Sequence, residues 1–348
     1  MNSRLRYQRA RARAEEQARA RRKAWIRSGR RISRALYPGE TLNLSPYQIT
    51  LLPRSSLIDS PDLLIDQLRL FRKQIEMRRN VLLNMRDVRD IGSDAIAVIL
   101  ACLKSAVSRI SVYGRWPSSQ IAIAKLVNSG FPQQVSTRVN FPISENAMLL
   151  FAVDRRVLTQ KAREIALFAL RHSRPECCDD LILDAIAGTI GEFMQNTYDH
   201  AVLDSFGQEP PLADDRMEWV VHAEFVPETR VTHISFVDLG VGLLGSIILR
   251  NKVLATQLAI GMKNDSAIVG KIMRGEIKVP SRTGDPRRGV GLPLIHKHYE
   301  SKHIGRLIVI SNRAFVDFER AGQPRDLRIP FPGTFMYFEV RPTDGQPA

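Results

Sequence analysis

Residues 231–242 read VTHISFVDLGVG. The first seven are rich in β-branched and aromatic types and bring apolar side chains to alternate positions, which predicts a strand. An acid, Asp238, ends it, and Gly240 and Gly242 follow at alternate positions. A strand that runs into Asp-x-Gly-x-Gly can turn sharply and leave room for a flat ring against its backbone. Asp238 would then stand ready to accept a hydrogen bond from an amino group. The same five residues also suit an ordinary tight turn or a calcium-loop fragment, so the neighbouring segments have to decide.

Upstream, residues 157–171 and 179–200 carry helical periodicity. The second helix contains GEFMQNTYDHA at 191–201. Glu192 and Asn196 share one side of it at a spacing of four, with Asp199 and His200 less directly aligned. Polar residues on an otherwise apolar helix are either simply exposed or belong to a site. A Mg²⁺ ion takes oxygen ligands and keeps most of its shell for phosphates and water, so a single Asn oxygen can serve as its protein ligand. Downstream, RRGVGLPLI at 287–295 places Gly289 and Gly291 before a helix expected over 292–300, where backbone N–H groups can face a phosphate. Finally, PGTFMYFEV at 332–340 is a Gly-Thr turn entering an alternating strand.

Each motif alone is weak, but their order is informative. Glu-x-x-x-Asn on a helix, a strand into Asp-x-Gly-x-Gly, Gly-x-Gly-Leu opening a helix, then Gly-Thr into a strand resembles the N, G1, G2 and G3 boxes of the GHKL group. That group is the ATP-binding fold shared by gyrases, heat-shock chaperones, histidine kinases and MutL proteins. The resemblance covers roughly residues 155–342 and implies a GHKL-type α/β sandwich, the Bergerat fold, over residues 151–342. It implies ATP and Mg²⁺ as cofactors. Carried over, it makes Glu192 the general base, Asn196 the Mg²⁺ ligand and Asp238 the adenine-binding acid. Gly240 and Gly242 become the turn beneath the base, Gly289 and Gly291 the phosphate turn, and Thr334 the threonine near the adenine. His200 matches a histidine that often closes the first box, and as a lone histidine it also suits a purely structural place. A mobile lid is expected over 243–288, with Lys263, Lys271, Lys278, Arg282, Arg287 and Arg288 as cations within reach of a γ-phosphate or simply solvated.

The N-terminal half predicts an α/β order. Helical periodicity over Asp62–Met77 is followed by a strand at Asn80–Met85, a helix at Ser93–Lys104, a strand at Arg109–Tyr113 and a helix at Ser118–Val127. Strands alternating with helices argue for parallel βα units. Over residues 37–150 this order resembles the STAS domain of anti-sigma-factor antagonists, with Asp90-Ile91-Gly92-Ser93 at the position of the family's acidic, serine-bearing turn. The resemblance implies a protein partner and makes Ser93 a candidate phosphoacceptor. The family's Asp-Ser-Ser-Gly sequence is not reproduced, and a plain helix cap is the competing role.

The net charge of +15 is concentrated rather than spread. Residues 1–34 hold twelve Arg and one Lys against two Glu, so the rest of the chain is nearly neutral. Residues 1–36 read as a basic arm, helical or disordered, that contacts nucleic acid or anionic lipid or is merely solvated. Residues 343–348 form a short tail. The longest apolar run, Ala95–Leu103, is far short of the ~20 residues that span a bilayer. No leader-like segment follows Met1, so a cytoplasmic location is expected. Cys102, Cys177 and Cys178 suggest neither a disulfide framework nor a zinc site.

Three chemistries are compatible with these motifs. The first is an ATPase or ATP-gated switch in which Glu192 orients water. The second is a serine kinase of the anti-sigma type. The third is a non-catalytic ATP-gated module that engages nucleic acid through the arm. A histidine kinase would need a phosphoacceptor on a separate helical hairpin, and the nearest candidate, His172, lies within the opening helices of the ATP-binding half.

Overall fold

A computed structural model describes residues 46–106, 110–132, 145–152, 157–177, 179–197, 219–250, 264–277, 291–320 and 324–342. The fold is mixed α/β, with parallel and antiparallel sheets. The first half runs β1 (Tyr47–Thr50), β2 (Arg54–Ser55), α1 (Pro61–Glu76), β3 (Val81–Asn84), β4 (Asp90–Ile91), α2 (Ser93–Ala106), β5 (Val112–Arg115) and α3 (Gln120–Asn128). Strands β1, β3 and β5 pair in parallel in that order, and β2 pairs with β4 in parallel. The second half runs β6 (Ala147–Ala152), α4 (Thr159–Ser173), α5 (Asp180–Asn196), β7 (Trp219–Val226) and β8 (Val231–Asp238). It continues through α6 (Leu243–Arg250), α7 (Asp265–Met273), α8 (Gly291–Glu300), β9 (Gly305–Asp317) and β10 (Arg325–Val340). Its sheet is antiparallel throughout, in the order β6-β7-β8-β10-β9.

Several boundaries differ from the sequence expectation for local reasons. The strand expected at 109–113 starts at Val112, because the Ser111 N–H is taken by the Asn80 side chain at 3.0 Å. Ser93 is the first helical residue of α2, and the Gly92 carbonyl receives the first helical bond, from Ile96 N–H at 3.0 Å. Asp94, next to it, is buried and folds back to accept from the Ser56 hydroxyl and the Ile58 N–H, both at 2.8 Å. Burial pushes its carboxyl above the ordinary range.

The two halves share a core rather than each burying its own. Side chains alternate along the antiparallel strands. On β10, Phe335 and Tyr337 face one way, while Met336, Phe338 and Val340 face the other. The second set, with Trp219, Val221, Ile234 and Phe236, is covered by α4, α5, α6, α7 and α8. The first set, with Val220, Val237, Ile308 and Ile310, belongs to the same buried cluster as α1, α2 and the small parallel sheet. The first half therefore supplies the cover for a sheet face of the second. Helix α2 lies on β7 and β8, and α1 on β10. Polar groups fasten the junction. The Asp62 carboxylate accepts from the N–H groups of Arg328 and Ile329 at 2.8 and 3.1 Å. The buried His222 ring on β7 bonds through Nε2 to the Ser129 carbonyl at 3.0 Å.

This arrangement accounts for the apolar run Ala95–Leu103. Every residue in it is buried, and a helix that is hydrophobic all round is one enclosed on all sides. Among the described residues, no helix is long and apolar enough to cross a membrane.

Ile96 is fully buried in this shared core. Ile96→Ala is expected to cost about 2–5 kcal/mol and to lower the melting of both halves together. Calorimetry showing a second-half transition at its wild-type temperature would contradict the shared core.

Candidate functional site

The motif residues fall into two groups on neighbouring elements. The first is built on the sheet. Asp238, the last residue of β8, pairs with Thr334 on β10, which in turn pairs with Ser311 on β9. Asp238 is buried, and its Oδ1 accepts the Gly240 N–H at 2.9 Å, closing the turn that the spacing predicts. The Thr334 hydroxyl and N–H also donate to the carboxylate. Strand β10 is not the plain Gly-Thr turn and alternating strand of the sequence reading. It is continuous from Arg325, and its register shifts on either side of Phe331. Gly333 sits within that irregularity with φ of +127°, and a Cβ there would overlap the Asp238 carbonyl. Only glycine permits both this backbone and this approach.

Burial is the main reason that the Asp238 carboxyl is pushed up to about 7. The hydrogen bonds from Gly240 and Thr334 pull the other way, and no cation contributes among the described residues. A buried carboxylate without a countercharge is costly, and such groups concentrate where a partner is to be bound.

The second group is built on α5, which starts under the cap of Asp179, whose side chain accepts from Leu181 N–H at 2.8 Å. Ile186, Ile190, Phe193 and Met194 anchor its apolar face. Glu192 and Asn196 share the adjoining half-buried edge. The Asn196 Nδ2 is buried without a hydrogen-bond partner among the described residues. The Glu192 carboxylate lies against Gly291, the first residue of α8, and a Cβ on Gly291 would overlap it. Helix α8 is pinned to α5 by a 3.0 Å hydrogen bond between His298 Nδ1 and Thr189 Oγ1, one turn before Glu192. The two groups are joined through the core: Phe193, beside Glu192, packs on Phe236, two residues before Asp238, with ring centroids 5.5 Å apart.

Other expected residues fare differently. Gly289, His200 and the cations Lys263, Lys278, Arg282, Arg287 and Arg288 lie outside the described residues. The lid expected over 243–288 is corrected in part. Its helix α7, which carries Lys271, buries Ile268, Val269, Ile272 and Met273 against β9 and α8, and is therefore core. Its start is capped by Asp326, whose carboxylate accepts from Asp265 and Ser266 N–H at 3.2 and 2.9 Å. His172 is wedged between the Phe168 and Phe225 rings and bonded to the Phe168 carbonyl at 2.9 Å. The Cys102 thiol is pushed up to about 12 by burial, which makes it inert. Among the described residues there is no cluster of His, Cys, Asp and Glu fit to hold a metal by itself.

Ser311 and Asn312 are missing from the sequence reading. They interrupt an apolar run (LIVI at 307–310, then AFV at 314–316); Asn312 bonds into the Asp238–Gly242 turn and Ser311 to the Leu243 N–H just after it. The polar pair inside a strand-like stretch is the signal that could have found them.

No protein-family model matches the chain, and no curated protein matches it significantly.

The position of Asp238 has a consequence for stability. Its carboxyl titrates near 3.8 when exposed and near 7 when folded, so folded protein holds an extra proton between those values. The stabilisation linked to that proton is lost as pH rises through about 7. Asp238→Asn, which carries no charge to bury, is expected to raise the melting temperature of ligand-free protein more at about pH 8 than at about pH 5. Equal shifts at both pH values would show that the carboxylate is not buried uncompensated.

Proposed function

We propose that the second half binds ATP with Mg²⁺ in a GHKL-type site of the Bergerat fold, and that the protein is an ATP-hydrolysing or ATP-gated switch in a regulatory system. The observation that carries this reading is Asp238: a buried carboxylate at a strand end, held among the described residues by hydrogen bonds alone, beside a glycine that lets a second strand pass close. An adenine amino group is the kind of donor such an acceptor requires. Thr334, hydrogen-bonded to the same carboxylate, would flank the ring, with Gly240 and Gly242 in the turn beneath it.

The other group fits the phosphate end. By the resemblance, the half-buried Asn196 would offer its amide oxygen to Mg²⁺, and its Nδ2, buried without a partner among the described residues, would be left to donate to a phosphate oxygen. The bound ion would neutralise phosphate oxygens. Glu192, held beside the start of α8, is the acid/base candidate: in the transition state it would accept the proton of an attacking water. Gly291, and Gly289 by resemblance, would let backbone N–H groups meet phosphate at the positive end of α8.

The first half is read as a STAS-like module that receives a protein partner. A serine kinase of the anti-sigma type is the second reading, and the packing bears on it. Ser93 opens α2, which lies on the sheet face away from α5 and α8. A kinase acting from this site would therefore not reach Ser93 of its own chain.

Titration of full-length protein with ATP and Mg²⁺ tests the assignment. Asp238→Asn is expected to weaken binding about tenfold to a hundredfold, the scale of one buried charge-assisted hydrogen bond. Glu192→Ala should keep ground-state affinity while γ-phosphate release or transfer from labelled ATP stops. Unchanged affinity in a folded Asp238→Asn protein removes the adenine role, and wild-type turnover in Glu192→Ala removes the base.

A further inference from the structure

Asn312 occupies an unusual place in β9. Its φ is +54°, a left-handed conformation that few residues other than glycine and asparagine adopt within a strand. Its side chain spends every polar atom on the segment that follows Asp238. Nδ2 donates to the Val241 carbonyl at 2.9 Å, inside the turn. Oδ1 accepts the N–H groups of Leu244 at 3.1 Å and Gly245 at 3.3 Å, in the first turn of α6. Gly242, with φ of +77°, lies under the amide, and a Cβ there would overlap it. Beside Asn312, the Ser311 hydroxyl accepts the Leu243 N–H at 2.7 Å, donates to the Gly333 carbonyl at 3.1 Å and lies 3.3 Å from Thr334 Oγ1.

We propose that Asn312 is a positioning residue for nucleotide binding, an inference that rests on the ATP reading of the site. It fastens the Asp238–Gly242 turn to β9, so that the Asp238 carboxylate and the backbone beneath the base are held in place before ligand arrives. Preorganisation of this kind raises affinity by removing the ordering cost from the binding step. Asparagine is suited to the task because one side chain supplies an acceptor for α6 and a donor for the turn. Aspartate would preserve the first function and lose the second, setting a carboxylate oxygen against the Val241 carbonyl.

That difference separates positioning from mere helix capping. Full-length wild type, Asn312→Asp and Asn312→Gly are titrated with ATP and Mg²⁺ at low and high salt, alongside thermal melting. Asn312→Asp keeps the α6 cap and loses the turn bond, and is expected to fold with a somewhat lower melting temperature and to bind ATP about five- to tenfold more weakly, the scale of a lost hydrogen bond. The loss should persist at high salt, where a purely Coulombic effect of the new charge is screened. Asn312→Gly, which keeps the backbone conformation and loses every side-chain bond, should bind at least as weakly and stands in if the aspartate variant does not fold. Wild-type affinity in the variant, or a loss that vanishes at high salt, overturns the inference. A wild-type protein that binds no ATP overturns the functional reading and the inference with it, whereas undiminished binding by the variants overturns the inference alone.

Discussion

A sheet whose strands carry apolar side chains on both faces has to be covered twice, and most of this architecture follows from that requirement. Phe335, Met336, Tyr337 and Phe338 are consecutive and all buried, which is possible only if helices lie on both sides of β10. The second half provides one layer. The first half provides the other, through α1 and α2. The small parallel sheet then closes over helices that are already committed to the larger one. Removing either layer would expose a row of large apolar residues to water, at roughly 25 cal/mol for each Å² uncovered.

The junction is not uniformly apolar. Along β7 the covered face passes from Val220 to His222 and Glu224. Burial pushes the Glu224 carboxyl up to about 7 and the His222 ring down to about 4, so at neutral pH the ring is uncharged and the carboxyl is in mid-titration. The apolar part of this face is next to Asp238, where Val237 and Phe335 pack. By alternation the Asp238 side chain lies on the other face, following Phe236, and its supports among the described residues are backbone and hydroxyl donors.

Local features were legible in the sequence because local chemistry dictates them. The Asp238–Gly240 turn and the start of α8 near Gly291 both follow from residue types at fixed spacing. The sequence reading also placed Glu192 and Asn196 on one edge of a helix. What escaped it depends on contacts distant in the chain. Asn312 bonds to Leu244 across 68 residues, and it takes the pairing of β10 with both β8 and β9 to bring them together. The lid expectation, taken from the resemblance, failed for α7 because its isoleucines pack against β9, a contact distant in the chain. The fully apolar run Ala95–Leu103 carried a legible hint of double enclosure, but nothing in it said which sheet would enclose it.

The central claim is that ATP lies with its base at Asp238 and its phosphates between α5 and the start of α8. A crystal structure of the full-length protein with Mg²⁺ and a non-hydrolysable ATP analogue tests it most directly. The account predicts the adenine amino group about 3 Å from the Asp238 carboxylate and the Asn196 oxygen about 2.1 Å from the metal. A nucleotide bound elsewhere on the molecule, or a base whose amino group faces away from Asp238, would contradict it.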